Sequence, residues 1–159
     1  MAQLEVGQMA PLFTLPDQSG QEVSLESLRG QVVVLYFYPK DDTPGCTKEA
    51  CSFRDLNREL KDAGAVVFGV SKDSVKSHVK FAQKYELNFP LLADEDASVC
   101  EAYGVIQDKN MYGRVTRGIV RTTFVIGQDG RVAKVYPKVK VDGHADAVLA
   151  DVRALAPGV

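Results

Sequence analysis

Two cysteines lie five positions apart, at Cys46 and Cys51, and the residues before the first of them are Thr43, Pro44 and Gly45. Threonine followed by proline is typical of a helix start. Cysteine attacks electrophiles as its thiolate, yet an ordinary cysteine is only about 3% thiolate at pH 7. The unpaired N–H groups and the positive dipole end at a helix N-terminus stabilise that anion. The sequence therefore predicts Cys46 in the first turn of a helix, as a nucleophile rather than a structural cysteine.

The third cysteine and the two histidines do not extend this pair into a metal site. Zinc would need about four ligands, and His78 and His144 are distant from the cysteine pair in the sequence. Three cysteines also do not suit a disulfide-stapled secreted domain, because their number is odd and small. We expect no metal and no cofactor. Cys100, in a predicted short helix over 97–103, is interpreted as a small apolar core residue.

Composition disfavours several classes of function. The 159 residues are 45% apolar, which suits one domain with a real core, assigned here to residues 1–159. A formal net charge of −2 and a pI near 5.7 provide no basic surface for a phosphate backbone, so no nucleic-acid partner is expected. The N-terminus lacks a basic stretch followed by an apolar run, and no segment approaches the roughly 20 apolar residues that span a bilayer. We expect a soluble, cytoplasmic protein with no membrane partner.

The elements that would position Cys46 alternate between strand and helix. A β-branched and aromatic run over 32–38 is typical of a strand buried on both faces, and apolar spacing over 43–64 predicts the helix that carries both cysteines. The further predicted elements are a hairpin around 17–20, strands over 65–70 and 89–93, a helix from 73 or 74 to about 87, an antiparallel hairpin of 118–126 with 131–136, and an amphipathic helix over 144–155. This order predicts an α/β fold with a mixed central β-sheet flanked by helices.

The segment 38–51 resembles the active-site segment of the peroxiredoxins, whose signature is Pro, three residues, Thr, two residues and Cys. Pro39, Thr43 and Cys46 match that signature in type and spacing. Within the superfamily, Thr-Pro-Gly-Cys-Thr followed by Lys-Glu-Ala-Cys is similar to the bacterioferritin comigratory protein group, also called PrxQ. The likeness runs from about Gly7 to the last helix and includes Arg121 in a later predicted strand. It implies a thioredoxin-like fold with an N-terminal hairpin extension.

The resemblance implies a thiol peroxidase that reduces hydrogen peroxide and organic hydroperoxides. Cys46 would attack the peroxide and become a sulfenic acid. Thr43 would orient the thiolate and the peroxide, while Pro39 would shield the sulfur from water. The backbone N–H groups of Gly45 and Cys46 would stabilise charge that develops on the peroxide oxygens. Arg121 would hold a permanent positive charge beside the sulfur.

Cys51 is, by the same resemblance, the resolving cysteine, and it would form an intramolecular disulfide that thioredoxin or a glutaredoxin-like protein reduces. A related branch carries its resolving cysteine on the following helix, where this sequence has none. The sequence also lacks the tryptophan and the cysteine-bearing C-terminal tail of the decameric peroxiredoxins, so a monomer is expected. Five positions along a helix separate Cα atoms by about 8.7 Å. Disulfides rarely span more than about 7 Å, so the helix must unwind locally before this bond can form.

Two other interpretations of the cysteine pair remain open. A thioredoxin-like disulfide reductase ordinarily carries Cys-x-x-Cys, and both the wider spacing and Thr43 disfavour it. A non-catalytic, peroxide-sensing redox switch would use Cys46 and Cys51 with the same chemistry, and only turnover with a reductant distinguishes it from an enzyme. Glu49 also matches a family position, but a first-turn acid that satisfies the helix dipole is an equally good interpretation.

Overall fold

The computed structural model describes residues 4–111 and 113–155. In chain order its strands and helices are β1 (Thr14–Pro16), β2 (Glu22–Ser24), a 3-10 turn (Glu26–Leu28), β3 (Val32–Phe37), α1 (Pro44–Asp62), β4 (Ala65–Ser71), α2 (Val75–Lys84), β5 (Leu91–Ala93), α3 (Ser98–Ala102), β6 (Ile106–Met111), β7 (Arg114–Ile119), β8 (Thr122–Ile126), β9 (Val132–Tyr136) and α4 (His144–Leu155). None of the helices in these residues is both long and apolar enough to pass through a membrane.

The central sheet has five strands in the order β5-β4-β3-β8-β9. Strand β3 runs parallel to β4 and antiparallel to β8, so the sheet is mixed, as the order of elements predicts. All six residues of β3 are buried, which is why this strand reads as a continuous apolar run in the sequence. Its register sets Phe37 opposite Thr122 at one end and Val33 opposite Ile126 at the other. The carboxyl end of β3 therefore lies beside the start of β8.

Two apolar clusters cover the two faces of this sheet because successive side chains of a strand point to opposite faces. Val34 and Tyr36 pack with apolar residues of α1, α2 and α4 on one face. Val33 and Leu35 pack on the other face with α3 and with residues near the N-terminal hairpin of β1 and β2. That hairpin is predicted from its turn residues, and the structure confirms it. The expected α/β arrangement of a mixed sheet flanked by helices is confirmed as well.

The predicted strand over 118–126 is wrong in its first half. Gly118 and Ile119 belong to β7, which pairs with β6 in a separate two-stranded sheet, and β8 begins only at Thr122. The Thr122 hydroxyl donates to the Val120 carbonyl at 2.7 Å, and this local bond accompanies the break between the strands. No glycine or proline marks that break, and the β-branched residues on both sides of Arg121 make the segment look like one strand. Arg121 therefore lies between two strands rather than within one.

The other helix and strand ends move by a few residues from their predicted positions. Strand β5 begins at Leu91 rather than at 89, and α2 ends at Lys84 rather than near 87. The start of α2 is capped by Ser74, whose hydroxyl accepts the Ser77 N–H at 3.1 Å. Helix α1 ends before Gly64, whose φ of +87° is the left-handed conformation that glycine adopts most easily.

Candidate active site

Helix α1 begins where the sequence predicts, and its first turn carries Cys46. Thr43 is the N-cap residue with extended backbone, and Pro44 occupies the first helical position. The Thr43 hydroxyl makes no capping bond to the helix, and it donates to the Lys40 carbonyl at 2.9 Å. The side chain of Cys46 is 1% exposed and packs in the cluster between α1 and the sheet. Its sulfur therefore lies at a helix start that strand β3 and its following loop hold in place.

The guanidinium of Arg121 contacts this sulfur. Its Nη2 donates to Sγ of Cys46 at 3.3 Å, and its Nη1 donates to Oε1 of Glu49 at 2.7 Å. A Cβ atom added at Gly45 would lie 3.1 Å from Nη2 of Arg121, tighter than most real contacts. Glycine at position 45 thus lets the guanidinium approach the helix start closely. The predicted site residues Gly45, Cys46 and Arg121 come together at this point.

Glu49 belongs to the same group of contacting residues, and it is buried, which is unusual for a carboxylate. Its side chain is 1% exposed, and Oε2 has no hydrogen-bond partner among the described residues. Burial raises the pKa of Glu49 to about 7, while the charge and hydrogen bond of Arg121 oppose that rise. Glu49 follows Cys46 by three positions, so the two share one helix face. That spacing is the sequence signal that favours a site residue over an exposed first-turn acid.

The remaining predicted site residues surround this centre. Pro39 is half-buried in the loop between β3 and α1, and Thr43 is half-buried at the helix start. Cys51 is partly exposed in the second turn of α1, which is continuous from Pro44 to Asp62. Cys46 and Cys51 are both free thiols, and an intact helix separates their Cα atoms by about 8.7 Å, too far for a disulfide.

Cys100 has the structural environment that the sequence predicts. It is fully buried in α3 on the opposite face of the sheet from Cys46. Its backbone N–H donates to Oδ2 of Asp94 at 2.8 Å. Burial, and then the Asp94 carboxylate, raise the pKa of the Cys100 thiol well above its ordinary value. A thiol held in its protonated form is a poor nucleophile.

A family model described as the AhpC/TSA family matches residues 6–135. The chain belongs to this family. A curated Coxiella burnetii protein named putative peroxiredoxin bcp is 60% identical over 146 residues, which cover 92% of this chain and 97% of that protein. Peroxiredoxin Q of Xanthomonas campestris, a solved structure, is 48% identical, covers 91% of each chain and superposes with a TM-score of 0.87. The bacterioferritin comigratory protein of Xanthomonas campestris, solved for insights into its alkyl peroxide reduction activity, is 45% identical over 98% of this chain and 99% of its own, with a TM-score of 0.89.

These similarities confirm the resemblance found in the sequence. The chain is a peroxiredoxin of the bacterioferritin comigratory protein group, and its fold is thioredoxin-like. Peroxiredoxins are thiol peroxidases, so this protein is an oxidoreductase of that class. Its cysteine at the helix start, with a guanidinium beside it, is the arrangement that such chemistry requires.

Proposed function

We propose that this peroxiredoxin reduces hydrogen peroxide and organic hydroperoxides with Cys46 as its nucleophile. The observation that carries the proposal is the 3.3 Å contact between Nη2 of Arg121 and Sγ of Cys46 at the start of α1. In the first step the thiolate sulfur bonds to the terminal peroxide oxygen and the O–O bond breaks. Cys46 becomes a sulfenic acid, and the other oxygen takes up a proton and leaves as water or an alcohol.

The groups around the sulfur support this step by binding the peroxide and its developing charge. Because the Thr43 hydroxyl donates to Lys40, its oxygen is free to accept the O–H of a hydroperoxide. The N–H groups of Gly45 and Cys46 belong to the first turn of α1, where no intrahelical acceptor exists, so they can donate to the peroxide oxygens. Arg121 adds a charge that stays positive at every physiological pH.

Cys51 completes the proposed cycle. Its thiol attacks the sulfur of the sulfenic acid, a disulfide forms between Cys46 and Cys51, and water leaves. The first turns of α1 must unwind for this step, because the intact helix keeps the two cysteines too far apart. A dithiol reductant such as thioredoxin or a glutaredoxin-like protein then opens the disulfide by thiol–disulfide exchange. A cytoplasmic monomer fits this cycle, since the cytoplasm maintains such reductants.

Mass spectrometry after one equivalent of hydroperoxide tests the assignment of both cysteines. We expect a crosslink between the Cys46 and Cys51 peptides and an unmodified Cys100. A stable sulfenic acid on Cys46, or a crosslink to Cys100, would contradict the role of Cys51. Repeated turnover with thioredoxin and its reductase then separates the enzyme from a redox switch, which would consume peroxide once and stop. Size-exclusion chromatography of the reduced protein tests the monomer.

A further inference from the structure

Asp41, two residues before Thr43, lies at the centre of a buried hydrogen-bond network. Its Oδ1 accepts the Tyr38 hydroxyl at 2.5 Å. Its Oδ2 accepts the Ser77 hydroxyl at 2.8 Å and lies 2.7 Å from Nδ1 of His78. Three side chains therefore bond to one carboxylate. Through Ser77 and His78, Asp41 attaches the loop that leads into the active-site helix to the start of helix α2.

His78 is the buried histidine partner of this carboxylate. The imidazole is fully buried, and its Nε2 lies 3.0 Å from the carbonyl oxygen of Leu92. Both ring nitrogens therefore have a hydrogen-bond partner. Asp41 and His78 thus form a buried, hydrogen-bonded pair, and removal of either side chain would leave buried polar atoms without their partner.

A second, more exposed set of contacts joins the same loop to the end of α2. Asp42 accepts from Nζ of Lys84 at 2.8 Å and from the Tyr85 hydroxyl at 2.6 Å. Asp42 has a φ of +58°, a left-handed conformation that non-glycine residues adopt rarely. The Asp41 N–H donates to Oδ2 of Asp73 at 2.9 Å, just before α2. The exposed pairs contribute little, so the buried pair is the main support for this backbone conformation.

We propose that Asp41 and His78 are positioning residues that hold Thr43 in place for the peroxide. This inference rests on the proposed function, in which the Thr43 hydroxyl binds the substrate. Thr43 lies two residues after Asp41 in the loop, and its hydroxyl is oriented by the carbonyl of Lys40, the residue before Asp41. Displacement of Asp41 would move both ends of that hydrogen bond. Arg121 reaches Cys46 from the loop between β7 and β8, so the thiolate itself does not depend on this hydrogen-bonded pair.

The distinguishing measurement is the ratio of two rate constants of Cys46 at pH 7. One is the reaction with hydrogen peroxide, which needs Thr43, and the other is alkylation by iodoacetamide, which reports the thiolate. In a background of Cys51→Ser and Cys100→Ser, Asp41→Asn or His78→Gln should lower the peroxide rate by about 10- to 100-fold. The alkylation rate should stay within about 2-fold, because the thiolate keeps its charged partner. A variant that only loosens the fold would change the alkylation rate as well, because the Cys46 sulfur is buried.

Matched variants complete the test. Asp17→Asn is the control, since Asp17 is a buried aspartate that holds the distant β1–β2 turn through Ser19 and Gln21. It should leave the ratio unchanged. The double variant Asp41→Asn, His78→Gln should recover part of the lost peroxide rate, because the two amide side chains can hydrogen-bond to each other.

If the single variants do not fold, the double variant and Ser77→Ala provide the test. Ser77→Ala is milder because it removes only one donor to Asp41. It should lower the ratio of the peroxide rate to the alkylation rate by about 2- to 5-fold. A ratio that is unchanged in every folded variant of Asp41, Ser77 and His78, or that falls equally in Asp17→Asn, overturns the inference while the proposed function stands. A wild-type protein that does not react with peroxide overturns the proposed function itself.

Discussion

Nη2 of Arg121 lies 3.3 Å from Sγ of Cys46, although 75 positions separate the two residues in the sequence. The same guanidinium donates to the buried Glu49 carboxyl at 2.7 Å. One cation is therefore shared between a nucleophile and an acid, both of them 1% exposed. Arg121 therefore contacts both groups at once, and its removal should have measurable effects.

Replacement of Arg121 by methionine should slow the reactions of Cys46 with electrophiles, because the cation that contacts its sulfur is lost. We expect alkylation by iodoacetamide at pH 7 and the reaction with peroxide both to slow by about 10-fold or more. Arg117→Met is the matched control, since Arg117 is an exposed cation of β7 that pairs with Glu101 and Asp108. Unchanged rates in Arg121→Met would show that this arginine is only structural.

Serine variants of Cys46 and Cys100 should have opposite outcomes in a steady-state peroxide assay with thioredoxin and its reductase. Cys46→Ser should have no activity, because a serine hydroxyl is not ionised at neutral pH and does not attack the O–O bond. Cys100→Ser should keep most of the activity, since its sulfur is fully buried on the other side of the sheet. Substantial turnover by Cys46→Ser would refute the mechanism.

Oxidation should unfold the start of α1 and leave its later turns intact. The later turns are held by Nη1 of Arg54, which donates to the Tyr85 carbonyl at 2.7 Å, and by the buried Asn57, which donates to the Asn88 carbonyl at 2.9 Å. Hydrogen exchange should show that amides 46–54 lose protection in the disulfide form. Amides of β3 should keep it in both states. Equal protection of amides 46–54 in both states, with the disulfide confirmed, would contradict local unfolding.

The stability of the protein should fall with rising pH because of Glu49. Burial raises the pKa of Glu49 in the folded protein to about 7, from 4.5 in a free side chain. The folded state thus binds this proton more tightly than the unfolded state. The resulting stabilisation is complete below pH 4.5 and is lost as the pH rises through 7.

Urea unfolding at pH 5 and pH 8 measures this effect against Glu49→Gln, which cannot ionise. The free energy of unfolding of the wild-type protein, relative to that variant, should fall by about 2 kcal/mol between the two pH values. Glu101→Gln, at an exposed acid, should show no such difference. A wild-type protein that gains stability relative to Glu49→Gln as the pH rises would show that Glu49 is ionised throughout.

Local features of the sequence predict much of the fold and the nucleophile. The buried run of β3 and the Thr-Pro start of α1 depend on residues that are adjacent in the chain, and both lie where the pattern places them. Cys46 is at the helix start for the same reason. The hairpin of β6 and β7 is missed, because its residues Gln107, Asp108, Arg114 and Arg117 lack the apolar alternation that marks a strand.

The tertiary structure alone decided which groups meet at the sulfur. The antiparallel register of β3 and β8 sets Phe37 opposite Thr122, so the residue before Thr122 lies beside the chain that leaves β3 toward Cys46. The burial of Glu49 and the hydrogen bond of Asp41 with His78 likewise depend on the packing of α1 and α2 against the sheet. Local sequence patterns report the conformation of neighbouring residues, whereas the charge on a buried group depends on partners that only long-range strand pairing and packing bring within a few ångströms.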